Sequence, residues 1–482
     1  MRKDQGNAMG RIGRCVLLGV VAVCLAAAPV RAEEPVWIEK AIPAHLGLES
    51  VTGALDGDRL KTVVKHGKIL FEARFTVHDG AGRPAATQAI IPTKKKRPVR
   101  ETFARTFGPD ANACTSCHNV PEAGGAGDFT ANVFVSEGFE SADFDSTAPQ
   151  FSNERGTPHL FGSGLLELLA REMTADLKAQ RHAALLAARK AGQPVTVELA
   201  TKGVGFGRLT ASPDGAVDVS GFDGVDTDLV IRPFSQKGVF ASLRQFTINA
   251  LNQHHGIQPD ERFGTRWTGT EDFDEDGVMS EMSAGDVSAV VAFQATLPPP
   301  EQKTPENPAW KDAAKTGEKF FADIGCAECH RPTLPLNSLV FADPGPNDTA
   351  GTLRQGDVAA PGAIDLSEMP FARHLTRDES GAWLIPVFGD LKRHRIADNQ
   401  VDHFGNEILA QRFVEADVFL TAELWGIADT APYGHRGDLT TLDATIRAHG
   451  GAGRASRDAY VAANDEERGS LIAFLKTLGI AR

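Results

Sequence analysis

The sequence predicts a mainly α protein built of two related halves, with a small β-hairpin insert in the first. Three observations predict it. The pattern C-x-x-C-H occurs twice, at Cys114, Cys117 and His118 and again at Cys326, Cys329 and His330. Two apolar segments of matching pattern, 288–297 and 469–478, each close one half, with Phe293 and Phe474 in register. A proline-rich polar stretch, 298–308, lies between them and reads as a linker.

Composition sets the outer bounds. The chain has 482 residues, 42% hydrophobic and 23% charged, which suits a globular protein of two or three domains. Lysine and arginine number 50 against 63 acids, for a net charge of −13, so a nucleic-acid binder is not expected.

The start of the chain reads as an export signal. Arg11 and Arg14 precede an apolar run over 16–28, and Val30-Arg31-Ala32 offers a small-residue cleavage site near Ala32. The run is too short to span a bilayer. Cys24 raises a lipid-anchored alternative, against which the bulk of Val23 stands. Loss of the segment's five basic residues and one acid takes the net charge from −13 to −17. No second apolar run reaches spanning length, so the mature product is expected in the periplasm, without a membrane span. The expected division is 1–32 signal peptide, 33–297 first domain with insertions, 298–308 linker and 309–482 second domain.

Cysteine usage decides the chemistry. Of six cysteines, Cys15 and Cys24 fall in the signal segment, and the other four all belong to the two C-x-x-C-H motifs. That spacing lets two thiols add across the vinyl groups of one haem while the adjacent histidine reaches the iron. Structural disulfides would suit an exported chain, but they leave the two histidines unexplained. Thioredoxin-like chemistry wants a βαβ context. A zinc site would draw four ligands from paired C-x-x-C units, and these lie 212 residues apart. The expected cofactors are therefore two covalently bound haem c groups, with His118 and His330 as proximal iron ligands.

The elements follow in order. In the first half Leu60, Val63, Val64, Gly67, Leu70 and Phe71 share a helical face. An insertion of about forty residues follows before Cys114, including the basic run Lys94 to Arg97. That run reads as a solvated loop, with a docking patch for an acidic donor as the alternative. Residues 165–190 form a long helix whose Leu165, Leu168, Leu169, Met173 and Leu177 stripe faces a core. Residues 195–231 alternate and are rich in Gly and Asp, which gives the hairpin insert. In the second half 312–321 is helical, with Ala313, Gly317 and Phe320/Phe321 on one face. Gly317 would let the helix over 466–478 approach closely, with Leu471, Phe474, Leu475 and Leu478 inward. This is the layout of a small cytochrome c, and the whole reads as two cytochrome c-like domains.

What stands opposite each proximal histidine sets the chemistry. A strong sixth ligand favours electron transfer, and an open position admits an oxidant. His449 follows Leu442 and Ile446 on one helical side and precedes Gly450-Gly451, so it is the expected sixth ligand of the second haem. Met369 is an alternative, and a solvent-facing histidine at a helix end is the bland one. In the first half, one of His254 and His255 occupies the corresponding place, with His255 the candidate ligand of the first haem. Glu167 is a candidate distal acid/base for moving a proton as an O–O bond breaks; otherwise it is a surface carboxylate. Asp272, Asp274 and Asp276 with Gly277 match the start of a calcium loop, with Glu281 as a further ligand. Position 12 is Ser283, and an acidic turn capping the next helix is the alternative.

Several longer stretches carry a resemblance. Phe107-Gly-Pro-Asp-Ala-Asn-Ala-Cys114 through His118, His159-Leu-Phe-Gly162-Ser-Gly164-Leu-Leu-Glu167, Ser242-Leu-Arg-Gln245, and Leu424-Trp425-Gly426 resemble the bacterial dihaem oxidoreductases described as peroxidases. Ala431-Pro-Tyr433-Gly-His435-Arg-Gly437 is more distantly similar to the A-P-Y-x-H-x-G segment of dihaem cytochrome c peroxidases. The resemblance implies two cytochrome c-like domains facing each other, one haem reacting with an oxidant such as peroxide. The other haem would take electrons from a small redox protein or a quinol-linked donor. His449 stands where those peroxidases commonly carry Met, and in this the chain resembles the rubber-cleaving dihaem oxygenases. Trp425, ahead of Trp267 and Trp383, is the expected tryptophan between the haems. The functional expectation is a periplasmic dihaem c-type oxidoreductase, peroxidase-like, with the first haem reactive. Its alternatives are a pure electron carrier with both haems six-coordinate, and an oxygenase.

Overall fold

A computed structural model of the chain describes residues 44–81, 111–132, 154–273, 276–407 and 413–480. The expected signal segment, the basic run at 94–97 and Asp274 lie outside the described residues.

Ten α-helices, counted among the described residues, follow one another as α1 Gly57–Glu72, α2 Ser163–Ala191, α3 Leu243–Ala250, α4 Asp260–Phe263, α5 Thr265–Thr268, α6 Ala284–Ala295, α7 Pro308–Asp323, α8 Leu442–Arg447, α9 Arg454–Ala462 and α10 Asp465–Leu475. Their starts are set by side chains that accept from otherwise unpaired N–H groups. Ser242 caps α3, and Asn307, followed by Pro308 at the first position, caps α7. Ser283 with Asp286, and Asn464 with Glu467, form reciprocal capping boxes on α6 and α10.

Two helix pairs repeat. α1 packs on α6, and α7 packs on α10. Each approach runs through a glycine. A Cβ on Gly67 would meet the Ala289 carbonyl oxygen at 1.9 Å, and one on Gly317 would meet that of Ser470 at 1.9 Å. One turn on, Phe71 lies 5.1 Å from Phe293, and Phe321 lies 5.4 Å from Phe474. The buried face of α7 is Ala314, Gly317 and Phe321, one position on from the Ala313 that the periodicity suggests.

The hairpin insert is present. Val195–Thr201 and Val204–Ala211 pair antiparallel, with Val217–Asp218 on the outer edge. Lys202 and Gly203 turn the hairpin with φ of 51° and 77°, as the two-residue loop that matches strand twist requires. Its inner residues Leu199, Phe206 and Leu209 are buried in the same core as Leu177 and Ala188 of α2.

The second half departs from a purely helical layout. Between its motif and α8 it carries short strands of two to four residues. Leu334–Leu336, Trp383–Ile385 and Thr376–Arg377 form one sheet, and Arg393–Arg395 pairs Val418–Leu420. Gly362–Asp365 lies between Val340–Asp343 and Gly53–Ala54, the last pairing in parallel. Strands this short hold too few residues for a period of two to show, so the sequence offers no signal for them.

Leu334, Phe341, Ile364 and Ile385 join Val63, Leu169 and Val287 in one core, while Phe321, Phe388, Tyr460, Leu471 and Phe474 form a second. Arg244, 1% exposed, ties the first core together. Its guanidinium reaches Glu261 at 2.6 Å and Asp343 at 2.7 and 2.9 Å, and donates to Ser288. The expected linker does more than connect: Glu301–Gln302 pairs antiparallel with Leu478–Gly479. Among the described residues no helix is long and apolar enough to cross a membrane.

Candidate functional site

Each C-x-x-C-H motif folds into the same tight turn. Cys114–Ser116 and Cys326–Glu328 are 3-10 turns, and the histidine N–H closes each by donating to the first cysteine carbonyl, at 2.9 Å for His118 and 3.0 Å for His330. The two cysteines and the histidine of each motif line the same cavity. All four thiols are free of disulfide bonds. Burial pushes Cys114 up to about 12 and Cys326 up to about 11, so the chain alone holds both as neutral thiols.

The four candidate ligand histidines share one arrangement. Nδ1 of His118 lies 3.3 Å from Gly125 O, that of His330 3.4 Å from Phe388 O, that of His449 2.8 Å from Thr445 O, and that of His255 2.7 Å from Ala111 O. A carbonyl only accepts, so each Nδ1 carries the proton and each Nε2 keeps a lone pair. This tautomer, oriented by a backbone carbonyl, is the one a metal requires. Burial lowers His118, His330 and His255 to about 4, and lowers His449 as well, so all are neutral at pH 7.

At the second motif the rings of His330 and His449 face each other, 6.4 Å between centroids at 66°. Metal–imidazole bonds of about 2.0–2.1 Å on both sides would set two such centroids roughly 6 Å apart. The pair therefore fits one metal ion held between them. The first motif is arranged differently. His255 directs Nε2 at Cys114 Sγ, 3.6 Å away, which is the rim of any porphyrin carried by that thiol. His254 lines the same cavity.

Both motifs open on one cavity of about 1140 Å³ that reaches all four histidines. A single small-molecule site occupies roughly 300–1,000 Å³, so this volume is generous for one ligand. Five buried polar atoms line it and meet no hydrogen-bond partner among the described residues: His159 Nδ1, Gln236 Oε1, Arg262 Nη1, Glu423 Oε1 and His435 Nε2. Native proteins rarely leave such groups unpaired. All five belong to residues that line this cavity, so each is a place for a polar group held in it. Burial pushes Glu423 up to about 7. His435 stacks on Phe419 at 4.3 Å and is lowered to about 3 by burial, with Arg155 and Lys237 adding to the shift. Lys237 is itself held by the carbonyls of Glu415, Ala416 and Val418 at 2.7–2.8 Å.

Of the three tryptophans considered, Trp425 alone lines the cavity. Its indole crosses Gly162, where a Cβ would meet the ring at 2.6 Å, and its carbonyl accepts from His159 Nε2 at 2.9 Å. Trp383 lies on a sheet beneath the Arg377 guanidinium, 3.7 Å from its ring.

Other candidates fall elsewhere. Glu167 is buried but does not line the cavity. One oxygen takes Arg171 at 2.5 and 3.0 Å, and the other accepts from Leu243 N at 2.8 Å. In the fold it braces α2 against α3. Met369 packs against the first core. In the acidic loop, Asp272 accepts from the N–H groups of Asp276 and Gly277 at 3.2 and 3.1 Å. Glu281 instead turns to Gln258 N at 2.7 Å, and Asp272, Asp276 and Glu281 do not converge. Glu281 thus accepts from the backbone of 258, and Asp274 of the expected calcium set lies outside the described residues.

Sequence reasoning passed over Asp390 and His394. Their side chains meet at 2.8 Å, and with Cys329 they place one ligand atom each within 4.8 Å. Burial pulls His394 down, but hydrogen bonds to Asp390 and Cys329 outweigh it and hold it up at about 9. It passed over Arg262 and Glu423 as well, since neither belongs to a motif.

Comparison with solved structures finds similarity to a Kuenenia stuttgartiensis hydrazine synthase pressurised with xenon, at 12% identity and a TM-score of 0.37, covering 97% of this chain and 100% of that one. A MauG-like protein associated with microbial copper homeostasis is similar at 16% identity and a TM-score of 0.28, covering 56% of this chain and 78% of that one. No family model and no curated protein matches the chain. The functional reading is therefore built on the chain's own residues.

Proposed function

We propose that the chain is an exported dihaem c-type oxidoreductase in which the first haem meets a small oxidant such as peroxide and the second relays electrons to it. The observation that carries the reading is the His330–His449 pair, 6.4 Å between rings, beside a C-x-x-C-H motif on a cavity that also reaches the other motif. Cys114 and Cys117, and Cys326 and Cys329, would hold the two porphyrins as thioethers, with His118 and His330 beneath them. Haem supplies one-electron and oxidant chemistry when bound.

The residues divide the labour. His330 and His449, locked by the Phe388 and Thr445 carbonyls, form a closed pair suited to electron transfer. His255, aimed at the Cys114 sulfur, leaves room over the first site for a small molecule. Trp425 and His159 stand on the wall of the shared cavity, joined by a hydrogen bond from His159 Nε2 to the Trp425 carbonyl. Glu423, raised to about 7 by burial, exchanges a proton around neutral pH. The electron donor in this reading is a small redox protein or a quinol-linked partner.

Mass spectrometry of the matured protein tests the cofactor; the reading expects two thioether-bonded porphyrins. Resonance Raman spectra of the ferric and half-reduced forms then test the function. A high-spin signal at one haem that responds to peroxide supports the enzyme. Two low-spin haems, indifferent to peroxide in every redox state, would make the protein an electron carrier.

A further inference from the structure

We propose that Arg262 is a carboxylate-docking point on the wall of the cavity that both motifs share, an inference that rests on the two-haem reading above. Arg262 is 3% exposed. It stands in α4, just past Gly256, which ends the single π-turn Leu251–His255 carrying His254 and His255. Its Nε donates to Gly351 O at 3.3 Å. Its Nη1 meets no acceptor among the described residues, and the side chain lines the cavity.

The adjacent acid does not neutralise it by contact. Glu261 gives one oxygen to Arg244 at 2.6 Å and the other to the Leu353 N–H. Asp343, the other acid of that network, is bound by the same Arg244. A guanidinium keeps its charge under all ordinary conditions. With Glu261 acting on it only through space and no acceptor at Nη1, its burial is costly, and an anion at Nη1 is the arrangement that satisfies it. The planar fork favours a carboxylate. Two sources present one here: a propionate of the first porphyrin, or a small organic acid entering as substrate.

The test uses the matured dihaem protein, with two porphyrin adducts first established by mass. Fewer adducts would remove the haem reading itself, whereas the outcomes below bear on Arg262 alone. Acetate is titrated at constant ionic strength while the first haem's absorption is followed, and redox-difference infrared spectra report the propionates. A saturable acetate response that weakens at least roughly tenfold in Arg262→Gln, the loss expected for one charge-assisted contact, assigns the site to an entering acid. A silent acetate titration with propionate bands displaced in Arg262→Gln assigns it to the porphyrin. Acetate silence together with superimposable infrared spectra of wild type and variant overturns the proposal. Arg262→Lys, which keeps the charge and loses the fork, is scored by the same criteria if the glutamine variant does not mature.

Discussion

The carbonyl oxygen of Ala289 passes 1.9 Å from the point where a Cβ on Gly67 would stand. Ser470 stands in the same relation to Gly317, at the same 1.9 Å, and the next atoms out, the carbonyl carbon and the following nitrogen, repeat within 0.1 Å. Ala289 and Ser470 occupy matching places in the two closing segments. The two halves thus share a packing register as well as a pattern, which is what a duplicated helix pair leaves behind. Each glycine carries a phenylalanine four residues on, and Phe71 lies 6.2 Å from His118. The helix crossing and the haem motif are therefore mechanically linked.

Alanine at either glycine should be destabilising. Gly→Ala gains up to about 1 kcal/mol of helix propensity, but overpacking a rigid backbone contact costs about 1–3 kcal/mol or more. The net expectation is a loss of about 1–2 kcal/mol in chemical denaturation for Gly67→Ala and Gly317→Ala. Gly469→Ala, where a Cβ meets nothing within 4 Å, should be neutral or stabilising. Equal stability of all three would show that the helices separate freely.

Asp286 should make stability fall in acid. It is fully buried and accepts from His45 at 2.5 Å, His66 at 2.8 Å, Leu46 N at 3.0 Å and Ser283. Burial opposes its ionisation, but these hydrogen bonds outweigh it and hold the carboxyl well below the usual range. Its unfolded value is about 3.9, so its stabilisation is complete above that pH and drains away as pH falls. His45 runs the other way. The hydrogen bond to Asp286 raises it, burial opposing, so its share is full below its ordinary 6.5 and is lost as pH rises. That share is small, because the ring is 48% exposed. Asp286→Asn should cost about 2–3 kcal/mol at pH 6 and flatten the acid limb of a denaturation-against-pH curve. An unchanged acid limb would mean other carboxylates govern it.

Glu167→Gln separates a brace from an acid catalyst. The carboxylate spans Arg171 and Leu243 N, away from the cavity. Its loss should lower stability by about 1–3 kcal/mol and leave peroxide turnover per folded haem near wild type. A general acid would instead lose about 10²–10⁴-fold in rate. A fall of that size with stability intact would return Glu167 to the chemistry.

The sequence made some of this legible. The motifs, the Gly317 crossing, the hairpin and the stretch bearing His449 are local patterns, and periodicity or spacing reports them directly. The strands over 334–420 were not legible, because two to four residues carry no period and their partners lie far off in the chain: Gly362 pairs Gly53. Arg262 and Glu423 were invisible for a related reason. Neither belongs to a motif, and only the folded cavity shows one guanidinium nitrogen and one carboxyl oxygen without a partner. The partners of Glu167 and Glu281, Arg171 with Leu243 N and Gln258 N, are spatial and were not legible from the segments that carry the two acids.

His449→Ala tests the closed pair at the second motif. His449 meets His330 edge-on across 6.4 Å and is half-buried, with Thr445 O fixing its proton on Nδ1. Removing the ring takes away the group opposite His330 without touching the thiols or the proximal side. The second haem should then convert from low to high spin in the ferric spectrum, while the count of covalent porphyrins stays at two. Added imidazole should restore the low-spin form, because the cavity left by the side chain matches that ring and Phe404, 5.4 Å from His449, still walls it. Stability should fall by about 1–3 kcal/mol from the lost buried contacts, a change that denaturation measures separately from the spectrum. An unchanged spectrum in His449→Ala would show that the imidazole is a core side chain and that another group closes the second site. A spin change that imidazole cannot reverse would show collapse of the pocket instead of loss of a ligand.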